Sequence, residues 1–119
     1  MKSLLLAAAA AAVPLIFVAA PAEAKPRTAT CSIKSAGAPA YRGPCRFVPE
    51  EKGSFSVEPV GRRAFAGGVT SIGVWIVSPG VAEVRGLTRE GINSRWGEAR
   101  RSKRDRACWA GSDFSVCVY

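Results

Sequence analysis

The chain contains no histidine, and that absence removes the commonest side chain for moving protons near neutral pH. No catalytic triad of the usual composition can be assembled without it. Acidic residues are scarce beside basic ones, 9 against 17, which gives a net charge of +8. A carboxylate pair for acid-base work would have to come from Glu50-Glu51, Glu83, Glu90, Glu98 or Asp113. Most of these stand among arginines, where an ordinary ion pair is the simpler account. The four cysteines include no close pair of the kind that zinc ribbons use. No glycine-rich phosphate loop opens a helix, and Ala66-Gly67-Gly68-Val69 reads as a turn into a strand. The sequence therefore predicts a protein that is not an enzyme and has no cofactor or metal site.

Long apolar runs are absent everywhere except at the start. Met1 to Ala24 has a positive residue at Lys2, an apolar run from Leu4 to Ala20, and Pro21-Ala22-Glu23-Ala24 before the charged Lys25. This order fits an export signal helix with a small-x-small cleavage site after Ala24. The alternative is an uncleaved membrane anchor, against which stand the alanine-rich composition, Pro14 and the cleavage pattern. No lipobox surrounds Cys31, the first cysteine. Residues 1–24 are accordingly read as a signal peptide and residues 25–119 as one small domain, with no transmembrane span after cleavage and a periplasmic or secreted location. The signal takes one lysine and one glutamate with it, so the exported chain keeps the whole +8. A cationic surface of this kind favours encounters with anionic polymers or membranes.

An even number of cysteines in a small exported domain points to disulfides. Four cysteines allow three pairings, and spacing alone does not choose among them. Turn geometry does. A two-residue loop at Ser112-Asp113 would set Cys108 opposite Cys117, although neither loop residue is glycine and a shifted loop is compatible with the pattern. Cys31 and Cys45 lie symmetrically about Ala38, within the turn-like Ala36-Gly37-Ala38-Pro39. The pairs Cys31 with Cys45 and Cys108 with Cys117 are preferred on this ground, with the crossed pairings as the alternative.

The pattern between the cysteines is that of strands. After a loose lead-in over Lys25 to Thr30, the segments Thr30 to Lys34 and Pro44 to Val48 form a first pair, and Glu50 to Gly53 a turn. Ser54 to Val60 alternates, with Phe55 and Val57 on one face, until Pro59. Gly61 to Gly68 is a loop in which arginine again sits beside a ring. Val69 to Ser78 and Val81 to Leu87 flank Ser78-Pro79-Gly80. A three-residue loop with Gly80 left-handed pairs Ile76 with Ala82, Val74 with Val84 and Ile72 with Gly86, so that all six share one face. Trp75 then falls on the other face, beside Glu83 and near Arg85. The expected fold is all-β: a small antiparallel sheet or β-sandwich of about six to eight strands, held by two disulfides.

Gly91 to Tyr119 holds two of the three tryptophans and the densest positive charge. Within it Ile92 to Trp96 reads as a strand. Trp96 to Arg104 is open to a helical turn as well, with strand preferred, followed by a basic loop through Asp105. In the last hairpin Phe114, Val116 and Val118 share a face with Trp109, which is expected in the core. Arg95, Arg100, Arg101 and Arg104, with Trp96 or Trp75 as a stacking surface, form the candidate ligand-binding set. Arginine forks onto phosphate and carboxylate and stacks on rings, so the set suits an anionic envelope polymer. A solvated charged face accounts for the same residues equally well. Another periplasmic protein is the alternative partner, as for an enzyme inhibitor or an assembly factor. Export disfavours nucleic acid.

Four strings, Gly43-Pro44-Cys45-x-Phe47, Gly53-Ser54-Phe55, Gly91 to Ser102 with its Trp96-Gly97-Glu98-Ala99 centre, and Ala107-Cys108-Trp109-x-Gly111-Ser112-Asp113-Phe114, resemble those of a family of small exported cysteine-containing proteins of alphaproteobacteria. The resemblance spans most of residues 25–119. It implies export and the cysteine framework, and carries over no catalytic residue.

Overall fold

The computed structural model describes residues 10–16 and 25–119. Most of the signal region, with its expected helix, lies outside the described residues, and 10–16 form no regular element. Eight strands follow: β1 (Arg27–Ser35), β2 (Tyr41–Pro49), β3 (Phe55–Pro59), β4 (Val69–Ser78), β5 (Val81–Thr88), β6 (Asn93–Arg101), β7 (Cys108–Ala110) and β8 (Phe114–Val118). Each pairs antiparallel with the next, and β8 returns to β1 with Ile33 opposite Val116. The protein is all-β, as its alternation predicts, but the single sheet closes on itself into a barrel instead of lying open or stacking in two layers.

The wall is built by alternation. Odd positions of β1 from Ala29 to Ile33 are buried, and so are Phe55, Val57, Ile72, Val74, Ala82, Val84 and Val116. Full burial of a valine or isoleucine stabilises by roughly 1.5–3 kcal/mol. The β4–β5 register is the expected one, with Ile76 opposite Ala82, Val74 opposite Val84 and Ile72 opposite Gly86. Gly80 takes the left-handed φ of 72°. β1 begins earlier than the sequence pattern indicates: Arg27 already pairs with Phe47, so the lead-in is shorter than expected.

β6 is one continuous strand with a bulge. Arg95 stands opposite Arg85 while Gly97 stands opposite Val84, leaving Trp96 as the extra residue, and Gly97 has a φ of 118°. The insertion breaks strict alternation. It lets the half-buried Trp96 pack against Phe114 while Ala99, three positions on, is fully buried. Gly86 makes room for the indole: a Cβ there would lie 2.7 Å from Trp96 Nε1.

Turns β1–β2, β3–β4, β5–β6 and β7–β8 lie at one end, here the upper end, and aromatics fill it. Phe65, 2% exposed, packs edge-on against Tyr41 at 4.9 Å between centroids, and Trp96 meets Phe114 at 5.7 Å. At the lower end, the buried Ser54 accepts a 2.9 Å hydrogen bond from the Ile76 N–H, which ties the turn between β2 and β3 to β4.

Both expected disulfides are present, Cys31–Cys45 and Cys108–Cys117. Cys108 stands directly opposite Cys117. Cys31 is opposite Gly43 and Ala29 opposite Cys45, so the first bond runs diagonally inside the barrel rather than straight across as the symmetry about Ala38 suggests. Its two cysteines have no exposed surface, whereas Cys108 is only half-buried. A native-state titration with reductant should therefore open Cys108–Cys117 first and Cys31–Cys45 only together with unfolding, as read by alkylation and peptide mass. Simultaneous loss of both at low reductant would contradict this. Removing Cys31–Cys45 should cost about 2–5 kcal/mol in urea denaturation.

Candidate functional site

The lower end of the barrel is open. Phe47, Phe55, Ile76, Trp109 and Val118, contributed by five strands, floor a cavity of 260 Å³. Arg27, Arg101 and Arg106 stand at its rim, and no carboxylate is among the lining residues. Arg27 and Arg101 occupy inward positions of the alternation, the same faces that carry Ala29 and Ala99 deeper in the barrel. Each is directly opposite an aromatic residue of the next strand: Arg27 opposite Phe47, Arg101 opposite Trp109. The Arg27 Cζ lies 4.8 Å from the Phe47 ring centroid and the Arg101 Cζ 5.7 Å from that of Trp109. Both are cation-π distances. The Arg101 Nε also donates to the Arg106 carbonyl at 2.8 Å, which holds the guanidinium over the opening.

The candidate residues read from the sequence do not form one site. Trp75, 45% exposed, lies on the outer wall opposite Glu83, as expected, and folds across Gly73. Arg95 and Arg85 converge there on one carboxylate, Glu83 Oε1, at 2.9 and 3.1 Å. Arg100 pairs with Glu98 at 3.3 Å. Exposed pairs of this kind stabilise by about 0–1 kcal/mol; their larger consequence is that the wall arginines already have their counter-charge. The half-buried Trp96 packs its ring against the core, over Gly86 and against Phe114. Arg104 sits on the β6–β7 turn, where its backbone N–H donates to Ser102 Oγ at 3.2 Å. Of the set, Arg101 alone lines the mouth.

Sequence reasoning missed Arg27 and Phe47, and left Arg106, a member of the basic run, out of the candidate set. The signal for Arg27 was available, since it stands two residues before Ala29 and four before Cys31 on the face that alternation assigns to the core. Arg106 follows a turn whose ends are tied by Ser102: its Oγ accepts from Arg104 and Asp105 N–H groups.

Beside the mouth, the last residue braces this turn. The Tyr119 hydroxyl donates to Asp105 Oδ2 at 2.6 Å, and Asp105 Oδ1 accepts from the Ala107 N–H at 3.1 Å. The hydroxyl, then the backbone N–H, hold the Asp105 carboxyl below its ordinary 3.8. The same hydrogen bond pushes the Tyr119 phenol above its ordinary 10.0. Tyr119 thus contributes stability that is present below 10.0 and lost as pH rises through its raised value. Asp105 contributes stability present above 3.8 and lost as pH falls through its lowered value. In a spectrophotometric titration, Asp105→Asn should bring the Tyr119 phenol down; an unchanged curve would show that the carboxylate does not set it.

No three His, Cys, Asp or Glu side chains gather among the described residues in a way that would hold a metal ion. No family model, curated protein or solved structure matches the chain.

Proposed function

We propose that the protein is an exported, non-catalytic binding module that engages an anionic envelope polymer with the lower end of its barrel. The observation that carries this is the contrast between two sets of arginines. On the wall, Arg46, Arg85, Arg95 and Arg100 are paired with Glu58, Glu83 or Glu98, while Arg42 lies over the Tyr119 ring at 5.6 Å. Arg27, Arg101, Arg104 and Arg106 have no carboxylate within ion-pair distance among the described residues. Unpaired guanidinium groups converging at one end give a polyanion several charges to bridge, and forked hydrogen bonds to carboxylate or phosphate to make. The exposed Lys103 on the same turn adds to that field. Export is supported by the signal-like start and by the absence of any free cysteine among the described residues. No helix among them is long and apolar enough to cross a membrane.

The test is retention on immobilised peptidoglycan and lipopolysaccharide at low and raised salt. Wild type should be held at low salt and released as screening shortens the reach of exposed charges. Arg101→Ala/Arg104→Ala/Arg106→Ala should bind roughly tenfold more weakly, at about 0.5 kcal/mol for each exposed contact. Arg95→Ala/Arg100→Ala should behave as wild type, because those residues are satisfied internally. Equal loss from both variants would reduce the effect to net charge. Salt-insensitive capture of one defined protein would favour the inhibitor or assembly-factor function instead.

A further inference from the structure

We propose that the arginine-rimmed mouth is a binding site for a short apolar carboxylate, of the size of a medium-chain fatty acid. The inference deepens the anion-binding function and rests on it for the sign of the ligand's charge. The ligand class follows from three properties of the mouth.

First, its floor is apolar. The half-buried Phe47, Ile76 and Val118 present a ring and branched alkyl groups over the buried rings of Phe55 and Trp109, and Phe47 and Phe55 lie 5.2 Å apart with tilted rings. A purely polar anion such as phosphate would leave this surface unused. Second, the rim is cationic with no internal counter-ion. The Arg101 Nε is engaged by the Arg106 carbonyl, which leaves its two terminal amino groups to fork onto a carboxylate. Arg27 covers Phe47 from the other side of the β1–β2 pair. Both guanidinium groups now rest on ring faces, and each can turn from its ring to an incoming anion without burying a charge, since both residues are exposed. A neutral alcohol of equal length would gain the floor and forgo the rim.

Third, the depth is limited. Val57, Val74 and Val116 have no exposed surface, and neither does the Cys31–Cys45 bond, so the barrel is filled directly above the floor. The cavity offers 260 Å³ of free space and is open to solvent on its outer side. That admits a short tail with the carboxylate at the rim, and the filled barrel above the floor leaves the end of a longer chain in water. The cleft at the upper end is larger, 400 Å³, and carries Arg62, Arg63 and Arg89, but it contains Glu58, and Arg89 already donates to the Arg62 carbonyl at 3.0 Å. It lacks the ring-lined floor.

Titration calorimetry on the full chain, with sodium octanoate, octanol, acetate and hexadecanoate as separate probes, tests the site, with tryptophan fluorescence of a Trp75→Phe/Trp96→Phe background, which leaves Trp109, as a second readout. Octanoate should bind at least about tenfold more tightly than acetate, since each methylene buried on the floor adds affinity. It should also bind more tightly than octanol. Hexadecanoate should gain nothing over octanoate. Arg27→Ala/Arg101→Ala should abolish the preference for octanoate over octanol, whereas Arg95→Ala/Arg100→Ala should preserve it. Ile76→Trp, which fills the floor while leaving both arginines, should weaken octanoate and octanol together with an unchanged melting curve. Octanoate binding no better than acetate, or binding indifferent to Arg27→Ala/Arg101→Ala, would overturn the proposal. No polymer is present in these titrations: octanoate binding without polymer retention leaves the site standing and removes the polymer, and the reverse outcome does the opposite.

Discussion

Eight strands closed into a barrel leave an interior just wide enough for side chains to fill, and this limited volume decides what each inward position carries. The middle of the barrel takes a disulfide, valines and Ile72, with alanine at Ala29, Ala82 and Ala99 where facing chains need the room. Glycine appears at Gly86 because the Trp96 indole lies across it. Where the filling stops, at the lower end, the inward positions of β1 and β6 change from alanine to arginine, and the barrel interior becomes a floor. The mouth is thus the point at which the packing rule ends and solvent begins, with the turns at Gly53 and Arg106 completing its rim.

The same residue type has two fates on this scaffold, decided by the face on which alternation sets it. Outward arginines of β5 and β6 lie in a row with glutamates and neutralise them; Arg85 and Arg95, directly opposite each other, are held together by one Glu83 carboxylate between them. Inward arginines at the strand ends meet rings instead. Composition alone registers both sets as one basic stretch, which is why Arg95 and Arg100 look equivalent to Arg101 in the sequence and are not equivalent in the fold.

Local pairing was legible because its signals are local. Gly80 and the apolar pattern about it determine the β4–β5 register, and Cys108 and Cys117 flank a loop short enough to align them. Closure was not legible, since it requires Ile33 to find Val116 with no turn between them to announce the pairing. The ambiguity over residues 91–105 has a specific origin: Trp96 and Ala99 are both packed inward three positions apart, a helical spacing that a strand achieves only through the bulge at Gly97. Arg101 could be named from charge density. Its partners in the mouth come from β1, β2, β3, β4, β7 and β8, and no contiguous segment displays them together.

The seam between β1 and β8 also bears on how such a chain reaches its fold. Strands delivered in order can zip neighbour to neighbour, but until Phe114 to Val118 arrive the sheet is an open ribbon, and the outer edge of β1 presents unpaired N–H and C=O groups to any other strand. The backbone bonds between Thr30 and Tyr119 form only at the end of that sequence. A barrel assembled this way passes through a stage in which its first strand is the most adhesive part of the molecule, and it completes itself by hiding that edge with its last.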